Sequence, residues 1–163
     1  MTTKASFLRP PMYAFRFELA FDPEPFKRPK GETVGSFAEC TGLEATMEPK
    51  VIKAGGNNYG GKQLAGPVTF ATVVLRRGIS RGGQLFKWFH RVASGDYGHR
   101  CGVTITVFPP DGDSEPLLWK LSRAMPVKFK AADLNARATE VGIEELHLVH
   151  EGLTLELGKG GGK

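Results

Sequence analysis

Residues 34–77 constrain the fold more than any other stretch of this chain, because short β-patterned segments alternate there with closely spaced glycines. Alternating side chains run on both sides of Thr41–Gly42, and apolar side chains of both parities fill Val68 to Leu75. This pattern predicts an antiparallel hairpin over residues 34–53 that turns at Thr41–Gly42, followed by a central strand with both faces covered. No arrangement of residues in the stretch is suited to catalysis.

The predicted hairpin has one apolar face and one polar face. Alternate side chains of a strand point to opposite faces, so the second half of the hairpin places four polar residues together: Glu44, Thr46, Glu48 and Lys50. These residues meet water, either outside the protein or in a channel, and the sequence of one subunit leaves that choice open. The five glycines of residues 55–66 indicate a loop with unusual backbone angles or a close approach of backbones.

Further strands are predicted wherever apolar and polar side chains alternate. One such strand runs from Tyr13 to Phe21, and a second hairpin joins residues 101–107 to residues 117–121 through a Pro-Pro-Asp-Gly-Asp turn. A last strand begins near Thr139, and its apolar face switches sides before Leu146. Either a bulge or a passage from one sheet to another would produce that switch.

One helix is predicted where apolar residues recur at intervals of three and four, from Leu85 to Val92. Ser80 is its expected N-cap and Gly95 its expected stop. The helix and strands together supply the candidate core residues, which are Phe15, Phe17, Leu19, Leu85, Trp88, Phe89 and Trp119.

Length and composition favour one mainly β domain over residues 1–163. The chain has 21 glycines and 11 prolines, which divide it into short segments. We expect an N-terminal arm over residues 1–11, an exposed loop over residues 22–33 and a flexible C-terminal tail over residues 158–163. The resulting prediction is a mainly β fold with one flanking helix.

The formal net charge is +5, so binding to nucleic acid has to be considered. The basic residues are scattered, however, and the densest group consists of Arg76, Arg77, Arg81 and Lys87. A group of this size is typical of a solvated basic face. We therefore interpret it as surface.

Cys40 and Cys101 do not form a disulfide framework or a metal-ligand pattern, and we interpret both as buried strand residues in a reducing compartment. The N-terminus lacks a signal-peptide core, and no apolar run approaches the roughly 18 residues of a membrane span. We expect the chain to be made and assembled in the bacterial cytoplasm.

The segment from Gly56 to Lys62 matches the first seven positions of a phosphate-binding loop. Gln63 stands where that loop needs Ser or Thr, and a strand follows where it needs a helix. His147 and His150 point to opposite faces of a predicted strand, as do the neighbouring Glu144 and Glu145, which we interpret as solvent-facing or interface carboxylates. The sequence thus predicts no enzyme, cofactor or metal site.

Six segments in order resemble one protein family: SFAECTGLEATME, IKAGGNNYGGKQLAG, VVLRRG, LFKWF, LLWKLSRAMPVKF and EVGIEELHLVHEGL. Their order and spacing resemble the tail tube proteins of contractile phages, including the inner tube proteins of phage-tail-like extracellular contractile injection systems. The resemblance runs from about Tyr13 to Leu153. Residues 64–67 read Leu-Ala-Gly-Pro, where the family usually has Leu-Pro-Gly.

The resemblance implies two packed antiparallel sheets flanked by a helix. It also implies a homo-hexameric ring whose strands join into one β-barrel, and a stack of rings that forms a hollow tube. The expected partners are a contractile sheath protein, baseplate or spike-hub proteins, a tail terminator, and DNA or effector protein as cargo in the lumen. The tube would be driven through a target envelope, with no stable membrane insertion.

Within this scheme, the hairpin at 34–53 and the strands at 68–76 and 139–149 are expected to form the barrel wall. The polar residues Glu44, Thr46, Glu48 and Lys50 are the candidates for the lumen. The candidates for ring stacking or subunit contact are Phe26, Lys27, Arg28, Gly55, Gly56, Asn57, Asn58, Tyr59, Gly61 and Lys62.

Two alternatives remain open at this point. The chain could be the specialised ring at the baseplate that initiates the tube. It could also be a free-standing nucleic-acid-binding β domain, as the pI of about 9.3 allows. The second alternative predicts a monomer or dimer whose binding weakens steeply with salt.

Overall fold

The computed structural model describes residues 16–23, 25, 37–53, 55–56, 59–110, 114–137 and 139–158. The N-terminal arm, most of the exposed loop and the end of the C-terminal tail lie outside the described residues. So do six of the residues predicted for the core or for contacts: Phe15, Phe26, Lys27, Arg28, Asn57 and Asn58.

The described chain contains eleven strands and one helix. The strands are β1 (Phe17–Asp22), β2 (Phe37–Thr41), β3 (Ala45–Met47), β4 (Lys50–Ile52), β5 (Lys62–Leu64), β6 (Val68–Phe70), β7 (Val73–Gly78), β8 (Cys101–Val107), β9 (Leu117–Lys130), β10 (Ile143–Val149) and β11 (Gly152–Leu157). The helix α1 spans Gln84–Ala93. The prediction of a mainly β fold with one helix is confirmed.

All pairings between the strands are antiparallel, and the long strand β9 belongs to two sheets. Its first half pairs with β8 and β11, and β1 extends that sheet beyond β8. Its second half pairs with β10, and β7 and β2 follow in that order. We call the first sheet the β8 sheet and the second the β10 sheet. Arg123, with φ 49°, lies in β9 at the step between them.

The core lies between the two sheets and under α1. The β10 sheet contributes Val73, Leu75, Leu146 and Leu148, which are fully buried. The β8 sheet contributes Phe21, Val103, Ile105 and Leu121. Among the residues predicted for the core, Leu85 and Trp88 are buried, while Phe17, Leu19, Phe89 and Trp119 are half-buried against this cluster.

The helix α1 packs its apolar side onto the core, with Trp88 meeting the ring of Phe21 edge-on at 5.6 Å. Ser80 is not the N-cap: Gly83 precedes the helix in a left-handed conformation, and the Ser80 hydroxyl accepts a hydrogen bond from Arg77. Gly95 ends the helix as expected, because its φ of 130° is one that other residues rarely adopt.

The prediction of a hairpin turning at Thr41–Gly42 is wrong. The strand β2 pairs with β7, β3 pairs with β6, and β4 pairs with β5, so residues 37–52 and 62–78 are the two sides of one much longer hairpin. Gly42 has φ 86°, and a Cβ there would lie 2.1 Å from the Thr72 carbonyl oxygen. This glycine therefore marks a close backbone contact across the hairpin, and the chain does not reverse there.

Two further strand predictions are corrected. Residues 68–75 form two strands, because Ala71 and Thr72 interrupt the pairing, and the first of them is largely exposed. The strand expected from Thr139 begins at Ile143, and its continuation β11 belongs to the β8 sheet. The predicted hairpin of residues 101–107 with residues 117–121 is confirmed.

Candidate assembly surfaces

The outer part of the long hairpin projects from the body of the protein. We call residues 42–72, which include β3 to β6, the hairpin arm. Every described residue of β3, β4 and β5 is exposed, including the large apolar residues Met47, Val51, Ile52 and Leu64, and Val68 at the start of β6 is exposed as well. An exposed apolar ribbon of this kind is typical of a protein interface.

The base of the hairpin arm is fixed to the body. Phe70 packs against the ring of His150 at 5.0 Å, and the backbone amide of Ala71 donates a hydrogen bond to the Glu44 carbonyl. His150 lies between β10 and β11, where the chain passes from one sheet to the other. The arm is thus anchored at the junction of the two sheets.

The two strands of the arm approach closely at a bulge. Residues 48–49 on one side oppose residues 65–67 on the other, and a Cβ on Gly66 would lie 1.7 Å from the Glu48 carbonyl oxygen. Only glycine can occupy this position without moving the backbone. The departure from Leu-Pro-Gly at residues 64–67 keeps the glycine that the close approach requires.

The residues predicted to mediate stacking lie at the outer end of the arm, so far as they are described. Gly55, Gly56, Tyr59, Gly61 and Lys62 are all exposed. Gly61 also lies close to β4, since a Cβ there would come within 2.5 Å of a Val51 methyl group. The four lumen candidates Glu44, Thr46, Glu48 and Lys50 are exposed as well, and the Thr46 hydroxyl lies 3.4 Å from the Glu44 carboxylate.

A row of alternating charges crosses the outer face of the β10 sheet. The row runs from Lys130 in β9 to Glu145, Arg76 and Glu39 in the three strands that follow. Arg76 donates hydrogen bonds to Glu145 at 3.0 Å and to Glu39 at 2.9 Å. Helix α1 and the β8 sheet cover the opposite face of this sheet, so the row faces away from the core.

These contacts change the protonation of Glu145. Burial by itself would raise its pKa, but hydrogen bonds from His147 and Arg76, together with the charges of Arg76 and Lys130, hold the pKa below its usual value. The pKa of Arg76 is raised by its hydrogen bonds to Glu39 and Glu145. Both shifts favour the charged forms of Arg76 and Glu145, the two central members of the row.

The inner face of the same sheet holds a buried ion pair. The Arg77 Nε lies 2.7 Å from a Glu144 carboxylate oxygen, and both side chains are almost fully buried. The prediction of a solvated basic face is wrong for Arg77, and that of a solvent-facing or interface carboxylate is wrong for Glu144. Because Arg77 has the same parity as Val73 and Leu75 in β7, it lies on the same face of the strand, and this parity is the signal that could place it inside.

The sequence also failed to identify the charge row. The apolar residues of both parities in residues 68–75 predict a strand covered on both faces, whereas the outer face of β7 carries Arg76. The alternation along β7 does place Arg76 on the face opposite Leu75 and Arg77. Its partners, however, lie 37 and 69 residues away in the sequence. Their pairing depends on strand order, which no local pattern supplies.

The chemistry of the described residues agrees with a structural role. Burial raises the pKa of the Cys40 thiol to about 11 and that of Cys101 to about 12, so neither is a ready nucleophile. No cluster of metal-ligating side chains occurs in the part of the chain that the structure describes. No helix within that part is long and apolar enough to cross a membrane.

A cleft of about 440 Å³ opens between the edges of the two sheets. Its walls are mostly apolar and include Phe17, Leu43, Ile105 and Trp119. The described lining contains one carboxylate, Glu39, which already pairs with Arg76. The cleft thus offers an apolar surface and no paired acid and base.

Comparison with known proteins assigns the class of this fold. The model of the T4-like virus tail tube protein gp19 family matches residues 13–154, which is most of the chain. The chain therefore belongs to the T4-like virus tail tube protein family, as the six segments indicated. A search of curated protein sequences finds no match.

Solved structures with the same fold come from contractile injection systems. A chain in the six-fold symmetrised baseplate of the anti-feeding prophage is 27% identical, with a TM-score of 0.76, and the alignment covers 91% of this chain and 97% of that one. A chain in the extended sheath–tube complex of the PVC extracellular contractile injection system is 18% identical, with a TM-score of 0.72, covering 96% of this chain and 99% of that one.

A third match, a chain from the PVC sheath/tube terminator, is 19% identical, with a TM-score of 0.72 and coverage of 91% and 99%. The PVC matches show a shared fold. Together with the family, these comparisons identify a structural tube protein of a phage tail or a phage-tail-like injection particle.

Proposed function

We propose that six copies of this chain form a ring and that rings stack into a hollow tube. The observation that carries the proposal is the four-stranded β10 sheet, which has two unpaired edges among the described residues. One edge is β2, and the other is the second half of β9, residues 125–130. An unpaired strand edge leaves backbone N–H and C=O groups without partners, and proteins usually pair or shield such an edge.

Joining β2 of one copy to the second half of β9 in the next copy covers both edges. Such a contact joins two different surfaces of the chain and is therefore heterologous. It closes into a ring when the rotation from one copy to the next is a whole fraction of a full turn. Four strands from each of six copies give a barrel of about 24 strands, wide enough for an open channel. Six-fold symmetry is that of the baseplate structure containing the 27% identical chain.

The outer face of the β10 sheet would then line the channel, because helix α1 and the β8 sheet cover the other face. Its charges alternate across the strands from Lys130 to Glu39, and they neutralise one another. A lumen of this kind lets cargo pass without strong binding to the wall. The four lumen candidates of the hairpin arm would continue this wall beyond the sheet.

The remaining partners follow from the tube. The PVC match comes from a sheath–tube complex, which supports a contractile sheath protein around this tube. Baseplate or spike-hub proteins would start the tube and a terminator would end it, and DNA or an effector protein would be the cargo. Assembly takes place in the bacterial cytoplasm, and the role is mechanical, without enzymatic activity.

A baseplate-proximal ring that initiates the tube is the second candidate. It is favoured by the 27% identity to a chain of a baseplate structure, which exceeds that to the two PVC chains. An initiator ring would share the lateral contacts of a tube ring. It would differ in needing other proteins before rings add to it.

Electron microscopy of the purified protein over a concentration series tests both candidates. Six-fold rings that stack into tubes are the expected result, and rings that remain single would favour the initiator. A monomer at every concentration would contradict the ring. A salt titration of nucleic-acid binding to that monomer would then test the free-standing β domain.

A further inference from the structure

The two unpaired edges of the β10 sheet differ on the inner face, which carries helix α1. Beside the β2 edge, this face opens into the apolar cleft of about 440 Å³, whose described lining includes Cys40, Leu43, Ile105 and Trp119. A volume of this size lies in the range of pockets that hold drug-sized ligands, so the cleft has room for two aromatic rings. One edge of the sheet therefore carries an apolar recess.

The opposite edge carries two aromatic rings. Phe129 in β9 is opposite the buried Leu146 and packs against the core on the inner face. The ring of Phe86 from α1 meets that of Phe129 edge-on, with their centroids 5.3 Å apart, and Phe86 is 48% exposed. Aromatic side chains beside an unpaired strand edge indicate an interface, where such residues are enriched.

Strand pairing places the recess and the rings at the same height of the sheet. Cys40 in β2 is opposite Leu75 in β7. Leu75 is in turn opposite Leu146 in β10, which is opposite Phe129 in β9. Cys40 and Phe129 thus end one row across the sheet, about 14 Å apart at three strand spacings. When β2 pairs in line with this row with β9 of another copy, Phe129 and Phe86 of that copy face the cleft.

The charges on the outer face fit the same register. The charge row begins at Lys130 on the β9 edge and ends at Glu39 on the β2 edge. The joined strands are antiparallel, so pairing Cys40 with Phe129 of the next copy also places Glu39 opposite Lys130. Opposite charges that face each other across two strands stabilise their pairing. A shift of one residue would turn the aromatic rings away from the cleft.

We propose that the cleft is the receiving half of the contact between neighbouring copies in a ring, and that Phe86 and Phe129 of the next copy fill it. The occupant is a second copy of this chain, seated with Cys40 opposite Phe129 and Glu39 opposite Lys130. This inference rests on the proposed ring. It assigns the register of the joint between copies and the side chains that close it.

The native thiol of Cys40 makes the register testable. Directly opposed residues of antiparallel strands have Cα atoms roughly 4.5–5.5 Å apart, and a disulfide needs about 4.4–6.8 Å. Oxidised rings of Phe129→Cys should therefore yield covalently joined copies, up to a closed hexamer, on a non-reducing denaturing gel. Within one chain the two thiols lie at opposite edges of the sheet and are too far apart to join.

Two controls accompany the Phe129→Cys variant. Adding Cys40→Ser should abolish the cross-link, because the remaining native thiol, Cys101, is buried in the core. Val127→Cys places the new thiol two residues away, or about 7 Å along the strand. It should cross-link far less than Phe129→Cys, since its thiol is out of register with Cys40.

Phe86→Glu tests the filling of the cleft without changing the paired strands. Phe86 lies in the first turn of α1, where a carboxylate suits the helix N-terminus, so the variant should fold. Ring formation should be lost at concentrations at which the wild type forms rings, because the contact would bury an unpaired charge. Tyr97→Glu is the matched control: Tyr97 is 71% exposed and lies outside the cleft and both strand edges, so its rings should form normally.

A second cysteine pair covers the case in which Phe129→Cys forms no rings. Glu39→Cys and Lys130→Cys, combined with Cys40→Ser, place thiols on two side chains that are about half exposed and directly opposed in the proposed joint. Rings of this variant should cross-link on oxidation. Rings without a cross-link, or stronger cross-linking by Val127→Cys than by Phe129→Cys, would contradict the assigned register.

Normal rings from Phe86→Glu would contradict the proposed occupant. The cleft would then be left to another segment, such as residues 1–15 of the same chain, which precede the cleft residue Phe17 in the sequence. By contrast, the absence of rings from the wild type would contradict the proposed function, so the two failures are distinguishable.

Discussion

The strand β7 contributes to the core and leads directly into the hairpin arm, but the apolar residues of the two regions are buried to different extents. In β7, Val73 and Leu75 are fully buried between the sheets. A few residues earlier on the same strand path, Val68 is 45% exposed, and Met47, opposite it in β3, is 51% exposed. One hairpin thus passes from a packed interior to open solvent.

This difference separates the free energy of folding from the free energy of assembly. Burying apolar surface contributes roughly 25 cal/mol per Å², wherever the surface comes from. The core already uses this contribution within one chain, whereas the hairpin arm still exposes its apolar side chains to water. In the proposed tube, this exposed surface would contribute to contacts between copies instead of to folding.

Of the substitutions considered, Trp88→Ala should lower the free energy of unfolding most. Trp88 is fully buried and its indole N–H donates a hydrogen bond to His99 Nδ1 at 3.2 Å. Removing the ring leaves a cavity and should lower the free energy of unfolding by about 3–5 kcal/mol. Urea denaturation at a protein concentration below that of ring formation measures this change, since assembly would add to the apparent stability.

Phe86→Ala is the matched control for this substitution. Phe86 lies on the same helix but is 48% exposed, with its ring against Phe129. Its removal should cost about 1 kcal/mol, because only part of the ring leaves an apolar environment. Equal losses from the two substitutions would contradict the position of the helix on the core.

A smaller effect on the free energy of unfolding is expected from His150, which lies where the hairpin arm meets the body of the protein. His150 donates from Nδ1 to the Gly152 carbonyl at 3.0 Å, so the neutral ring has its free lone pair on Nε2. That atom is buried and has no hydrogen-bond partner among the described residues. Burial lowers the pKa of His150, partly opposed by the hydrogen bond to Gly152.

The lowered pKa of His150 determines how the free energy of unfolding changes with pH. Below its ordinary pKa of 6.5, His150 takes up a proton in the unfolded chain more readily than in the folded protein. The free energy of unfolding should therefore decrease as the pH falls below about 6.5, until the folded protein is protonated as well. His150→Gln should reduce this slope, which urea denaturation over a range of pH would measure.

The parts of the fold that local pattern determines were predicted from the sequence. Leu85, Trp88 and Val92 recur with helical spacing, and all three are buried on one side of α1. The hairpin of β8 and β9 follows from alternation on both sides of a short turn-forming segment. In both cases the residues that form the element are close in sequence, so the pattern contains the necessary information.

The parts that depend on distant pairing were not predicted. The turn predicted at Thr41–Gly42 is wrong because Gly42 makes room for the carbonyl of Thr72, a residue 30 positions away. The charge row likewise depends on strand order, which brings together residues from distant segments. Assembly surfaces are therefore harder to recognise from a sequence than core residues are, because exposed apolar residues acquire meaning only from their neighbours in space.

The smallest effect on stability, with a large effect on assembly, is expected from Gly66→Ala. The added Cβ would lie 1.7 Å from the Glu48 carbonyl oxygen, so the two strands of the arm have to separate at the bulge. Because most residues around the bulge are exposed, the free energy of unfolding should change much less than it does for Trp88→Ala. The arm would lose its shape, and sedimentation should show rings without tubes.

Gly98→Ala is the control, since Gly98 lies outside the hairpin arm, a Cβ there meets no atom within 4 Å and its φ is not left-handed. It should assemble as the wild type does. If Gly66→Ala instead destabilised the protein as much as Trp88→Ala, the arm and the core would unfold as one cooperative unit. The separation between folding and assembly would then be wrong, because the exposed ribbon would contribute to the stability of the single chain.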